Sequence, residues 1–179
     1  MYPYLRLGLE LFLAGRRAPL PLDGVHVSRH RCWPWDIDMF GEMNNGRILT
    51  ISDLGRIPLA RRTGLLPVLM KNRWALTMAG ASVRYRRRIR PFATVELSSA
   101  CIGRDDRFFY LLQTFRLPAQ GNEAAASILY RSAILENGRM IPTQRVAEAM
   151  GAADWNPALP GWVSEWIAAD TTRTWPPEV

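Results

Sequence analysis

Two carboxylates stand two residues apart in the run Trp35-Asp36-Ile37-Asp38-Met39-Phe40-Gly41-Glu42-Met43-Asn44-Asn45-Gly46-Arg47. The run feeds an apolar-periodic segment whose helix Asn44 or Asn45 can cap. First-turn N–H groups of a helix have no intrahelical acceptor and sit at the positive end of its dipole. They can therefore polarise a thioester carbonyl and hold its oxyanion. A carboxylate beside them can attack that carbonyl or deprotonate a water. The combination suits thioester hydrolysis. Read from the residues alone, an acidic loop that merely caps a helix or binds nearby arginines is the commoner case.

A second chemical cluster is the arginine run from Arg84 to Arg90. In an extended segment Arg84, Arg86, Arg88 and Arg90 point one way, and Val83, Tyr85, Arg87 and Ile89 the other. One reading is a solvated outer face. The other is a receiver for the phosphates of coenzyme A, which bidentate guanidinium groups suit. No nucleic-acid motif or interleaved aromatic platform accompanies the run, so nucleic acid is not an expected partner. His26 and His30 share one face of the strand ahead of the acidic loop, a parity that fits structural or surface histidines. Cys32 and Cys101 make no disulfide framework and, with only these two histidines near, no metal site.

A chain of 179 residues, 48% hydrophobic and 22% charged, is sized for one folded domain with a sizeable core. Its net charge of +7 comes almost wholly from arginine, Lys71 being the single lysine, and favours anionic partners. Residues 2–13 are apolar-rich but interrupted by Arg6 and Glu10, too short to span a bilayer and followed by no small-residue cleavage site. The expectation for residues 1–23 is an amphipathic helix packed on the domain, with peripheral membrane contact as the alternative. A cytoplasmic location is expected.

Along the chain, residues 24–33 read as a first strand and 34–43 as a loop. A helix is expected from Asn44 or Asn45 to about Thr63, stopped by Gly64 and bent or ended early by Pro58. It carries Ile48, Ile51, Leu54 and Ile57 at threefold spacing. Four strand-like segments follow, roughly 74–89, 93–102, 108–117 and 125–135, then a short helix over 143–150. A tail from 151 to 179 holds Trp155, Trp162, Trp166 and Trp175 among prolines and is expected to wrap the surface or a partner subunit. Strand, apolar helix and a four-strand antiparallel meander pack most economically as a sheet wrapped around one buried helix, over residues 24–150. Another α+β sandwich is the runner-up.

The acidic segment resembles the signature of the 4-hydroxybenzoyl-CoA thioesterase-like branch of the hotdog superfamily. That pattern is approximately D-x-D-x-x-G-H-x-N-N-x-x-Y, followed by an acidic residue and an arginine. Asp36, Asp38, Gly41, Asn44 and Asn45 match it, as do Asp53 and Arg56. Residues 83–92 and 103–110 resemble further blocks of the family, and the resemblance covers residues 24–135. It implies an α+β hotdog fold, a five-stranded antiparallel sheet around a long central helix, and hydrolysis of an acyl-CoA or related thioester to acid and thiol. It carries the catalytic role to Asp38 and carbonyl binding to the helix start at Asn44, Asn45 and Gly46.

The family histidine is Glu42 here and its tyrosine is Ile48, so Glu42 can share or replace the role of Asp38. Substrate preference does not transfer. Sites of this type form where two subunits meet, which implies a homodimer or dimer of dimers and needs no metal or organic cofactor. Arg84, Arg86 and Arg88 are the candidate phosphate contacts. Hotdog dehydratases use a histidine with a carboxylate, and the absence of histidine from this helix argues against dehydration. Glu42 and Ile48 keep open a non-catalytic acyl-CoA-binding protein on the same frame.

Overall fold

The computed structural model describes residues 2–174 and Pro176, so Trp175 lies outside the described residues. The chain runs α1 (Tyr4–Arg16), β1 (His26–Arg31), α2 (Asn45–Ile51), α3 (Asp53–Arg62), α4 (Leu65–Asn72), β2 (Ala75–Tyr85), β3 (Thr94–Arg104), β4 (Phe109–Leu117), β5 (Glu123–Glu136), β6 (Arg139–Met140), α5 (Thr143–Ala149) and α6 (Gly161–Thr171). The antiparallel sheet has the order β1-β3-β4-β5-β2, with the short β6 on β5. It curls around α2 and α3, whose Ile48, Ile51 and Leu54 are buried against Leu97, Phe115 and Ile128. Each such side chain contributes about 1.5–3 kcal/mol of burial free energy. Backbone meets sheet most closely at Gly55, where a Cβ would collide with Ser99 Oγ and Leu97 Cδ2. This is the hotdog architecture.

Several expectations are corrected. Only β3, β4 and β5 form a meander. β2 pairs with β5, not β3, so residues 86–93 cross the molecule from one sheet edge towards the other. The central helix is broken at Ser52 rather than Pro58. The Ser52 hydroxyl donates to the Ile48 carbonyl at 2.9 Å, a competing bond that bends helices. Pro58 then lies inside the freshly started α3. Residues 65–72, left between helix and strand by the sequence reading, form α4, with Pro67 accommodated in its first turn.

The tail folds as well. α6 places Val163, Trp166 and Ile167 on Phe108, Tyr110 and Leu129, covering the sheet face opposite α3. An Arg131–Asp170 bridge of 2.8 Å fixes it there.

α1 docks on α3, but with its faces the reverse of an ordinary packed helix. Arg6, Leu7, Glu10 and Ala14 turn inward, while Tyr4, Leu5, Leu9 and Phe12 are exposed, Leu5 at 92%. The inward polar groups have partners: Tyr2 Oη donates to Asp53 at 2.8 Å, Arg6 meets Asp36 at 3.0 Å, and Glu10 lies 3.8 Å from His30. Among the described residues, no helix is long and apolar enough to cross a membrane.

β1 is inverted in the same sense. His26, Ser28 and His30 are buried towards the helices, while Val25 and Val27 face outward. The shared parity of the histidines reflects a polar seam under α1 and α3. Ser28 Oγ and His30 Nε2 are 2.8 Å apart, and Arg62 Nη1 is 3.2 Å from His26 Nδ1. Burial, with the nearby arginines, pushes both imidazoles down to about 4, so they are neutral at pH 7.

The unfolded chain binds protons on both histidines below their ordinary value near 6.5, whereas the folded chain does not until about pH 4. Stability is therefore fully present above pH 6.5 and declines as pH falls through that window. Glu10, raised by burial, works in the opposite direction. Urea unfolding at pH 7 and pH 5 should show a loss of up to about 2 kcal/mol per histidine. Equal stability at the two pH values would contradict neutral burial.

Candidate functional site

The acidic run folds into a tight hairpin. Ile37 and Met43 form a β-bridge, the Asp38 N–H donates to the Glu42 carbonyl at 2.9 Å, and the Gly41 N–H returns to the Asp38 carbonyl at 3.1 Å. Gly41 closes the turn at a φ of +72°, a conformation that glycine adopts without strain. Asp38 and Glu42 therefore stand opposite each other at the base of one three-residue turn. Met39 and Phe40 at its tip are exposed, Met39 at 90%. One Asp38 oxygen accepts the Phe40 N–H at 2.8 Å, and the other has no hydrogen bond among the described residues.

Asp36 plays a different part. It is 1% exposed. Its Oδ2 accepts from Arg6 and from the Trp33 N–H, each at 3.0 Å, and its Oδ1 accepts from Arg47 Nε at 2.5 Å. Its carbonyl takes the Asn44 N–H at 2.9 Å. A buried carboxylate so compensated is a structural pin, since an unpaired one would carry a large desolvation cost.

The hairpin delivers the chain to α2, where Asn44 Oδ1 caps the Arg47 N–H at 3.2 Å. The amides of Asn45 and Gly46 occupy first-turn positions with no carbonyl inside the helix to bond. Two openings flank this helix start. A cleft of about 470 Å³ holds Trp35, Asp36, Asn44, Gly46 and Arg47. A groove of about 180 Å³ on the other side holds Glu42, Asn45, Tyr85, Arg86 and Arg88. In the groove Arg88 Nε lies 3.2 Å from Glu42 Oε2, and Tyr85 Oη donates to the Asn45 carbonyl at 3.4 Å.

The structure thus brings Glu42, Asn45, Arg86 and Arg88 together and leaves Arg84 elsewhere. Arg84 pairs in register with Ser127 on the outer sheet face, whereas Val83, opposite Ile128, faces the core. The expected alternation through Arg90 fails because β2 ends at Tyr85. The N–H groups of Arg86 and Arg87 both bond the Ala125 carbonyl, and Arg87 pairs with Glu123 at 2.6 Å.

Sequence reasoning missed Tyr2 and Arg6 as parts of this region and gave Arg47, at the end of the acidic run, no role. Their one signal was chemical: a buried aspartate needs cations, and Arg6 interrupts an otherwise apolar segment. Burial pushes the Cys32 and Cys101 thiols up to about 11 and about 12, with the Asp36 charge adding to the rise at Cys32. Among the described residues, no three His, Cys, Asp or Glu side chains converge as a metal site.

Comparison with known proteins agrees with this architecture. The family model described as the Thioesterase-like superfamily matches residues 32–167. Protein THEM6 of Xenopus laevis is 29% identical over 134 residues, covering 75% of this chain and 63% of that protein. The match thus spans less than two thirds of that relative's length. Among solved structures, YbaW of Escherichia coli superposes with a TM-score of 0.65 at 14% identity, over 72% of this chain and 98% of that one. The DHNA-CoA thioesterase of Staphylococcus aureus does so with a TM-score of 0.63 at 10% identity, over 84% and 96%. At these identities the two structures speak for the fold.

Proposed function

The chain belongs to the thioesterase-like superfamily, and from that premise we propose that it hydrolyses an acyl-CoA-type thioester to free acid and thiol. The observation that carries the reading is the hairpin. It carries Asp38, with one oxygen unbonded among the described residues, two residues beyond the Asp36–Asn44 contact at which α2 opens, while Asp36 is committed to two ion pairs. In the proposed step the thioester carbonyl lies on the amides of Asn45 and Gly46. Asp38 takes a proton from water, the water oxygen adds to the carbonyl carbon, and the oxyanion is held at the helix start. Collapse expels the thiolate, which takes the proton that Asp38 had accepted from water and leaves as the thiol, restoring the carboxylate. Glu42 is paired with Arg88, which favours Asp38 as the base and Glu42 as an organiser of the groove. Arg86 and Arg88 receive the coenzyme phosphates there.

The same reading makes the protein a dimer. β2 is an eleven-residue edge strand whose outer side has no neighbouring strand among the described residues, and open edges invite pairing. A second copy there would close the site between two subunits. Light scattering should give at least twice the 20.3 kDa chain mass. A clean monomer at micromolar concentration would remove the shared site.

A panel of acyl-CoAs followed with a thiol reagent tests the chemistry. Asp38→Asn should lower kcat by at least ~10²-fold with acyl-CoA binding retained, and Glu42→Gln should keep most turnover. The opposite pattern reverses the two roles. Binding of acyl-CoA with no turnover of any thioester would make the protein an acyl-CoA-binding member of the family.

Arg86→Gln should raise KM for acyl-CoA by about three- to tenfold with little change in kcat. A short thioester lacking the nucleotide should not discriminate between wild type and variant. Equal effects on both substrates would assign the arginine a structural part.

A further inference from the structure

Beyond the helix start, the side of α2 and α3 that faces β2 encloses a space the hydrolytic chemistry does not use. An open groove of about 320 Å³ is lined by Leu49, Met78, Gly80, Ala81, Arg56 and Tyr130. The register of β2 slips between Met78 and Gly80, so the strand kinks beside it. Arg56 also lines a narrow inner cavity of about 40 Å³, otherwise walled by apolar groups such as Leu59, Leu76, Phe109 and Leu111. Met78 in the groove and Ser132 in the cavity touch, with Ser132 Oγ 3.2 Å from Met78 Sδ. The two spaces therefore meet at Arg56.

The polar groups at this junction are incompletely bonded. Arg56 pairs through Nη2 with Asp53, whose second oxygen is held by Tyr2. Its other terminal nitrogen, Nη1, is buried without a hydrogen-bond partner among the described residues. The Arg56 guanidinium lies over the Tyr130 ring, 4.6 Å from its centroid. Tyr130 is only 3% exposed, and its hydroxyl is likewise without a partner. Buried polar groups are nearly always bonded, and those that are not call for an explanation.

We propose that Arg56 and Tyr130 form a subsite that selects acyl chains carrying a neutral oxygen, a hydroxyl or an oxo group, ahead of a short apolar tail. This rests on the thioester reading for where the carbonyl sits. Asp53 already neutralises Arg56, so a carboxylate on the chain would bring an uncompensated charge into a buried place. A neutral oxygen accepts from Nη1 and exchanges a hydrogen bond with the phenol at no such cost. Asn45 and Arg56 are eleven residues apart, so the two ends of the subsite are anchored on backbone no more than about 16 Å apart along the helices. The cavity beyond has room for about three water-sized groups, which limits the tail to a few carbons. Leu49, one turn into α2, lines the groove on the side nearer the helix start in sequence.

The test compares kcat/KM for a mid-chain hydroxyacyl-CoA and the unsubstituted acyl-CoA of equal carbon number, in wild type and in Tyr130→Phe. The variant keeps the ring and removes a hydroxyl that makes no hydrogen bond of ordinary geometry among the described residues, with Ser52 and Arg56 as polar neighbours, so its melting temperature should move little. Wild type should prefer the oxygenated substrate by a few-fold to about tenfold, and the variant should lose most of that ratio. No preference in wild type, or an undiminished one in the variant, overturns the subsite while leaving hydrolysis in place. Tryptophan-fluorescence titration with the two corresponding free acids separates the other failure. Selective binding of the hydroxy acid, lost in Tyr130→Phe, by a protein that cleaves no thioester upholds the subsite and removes the hydrolytic reading.

Discussion

Everything at the helix start depends on one buried charge. Asp36 is almost wholly out of solvent and would not be tolerated there ionised without Arg6 on one side and Arg47 on the other. Those two arginines come from α1 and α2, so the carboxylate ties three separate stretches of chain into one geometry. Its backbone carbonyl also receives the Asn44 amide, which sets where α2 begins. The position of the turn carrying Asp38 and Glu42 follows from that pin. A carboxylate that looked like half of a catalytic pair is the post against which the other half is held.

The fold was legible where its causes are local or periodic. The threefold spacing from Ile48 to Leu54, the breaker-bounded strands and the D-x-D loop ahead of paired asparagines all act over a few residues, and the sheet wrapped around a helix followed from them. What escaped was non-local or offset by a competing bond. The pairing of β2 with β5 is decided by packing across the molecule. The break at Ser52 comes from a side-chain hydroxyl claiming a helical carbonyl, which outweighs the proline that a reader of sequence notices first. α6 was hidden because its tryptophans lie among prolines, although Val163, Trp166 and Ile167 have helical spacing.

The candidate site was legible in its acidic loop and not in its surroundings. Asp38, Glu42 and Asn45 follow from the motif. Arg6 lies 30 residues from the aspartate it neutralises and Tyr2 lies 51 from Asp53, and no spacing rule reaches so far. The arginine run shows the limit of alternation as a guide. Parity holds while β2 remains a strand and ends at Tyr85, after which Arg86 and Arg88 turn to the groove and Arg84 is left on the other face. Inverted patterning misled in the same way at β1 and α1, where polar side chains face in because they meet one another.

The reversed α1 also has a consequence for how the chain is made. This helix precedes the acidic loop and α3 in the chain, so the groups that satisfy its inward side are synthesised after it. Until then its inward polar groups lack these partners, and a helix of 13 residues is marginal alone in water. Its docking is thus a closing event, made across long stretches of sequence after the sheet has a helix to hold. The electrostatic surroundings of the acidic loop are completed by a helix made before the loop itself.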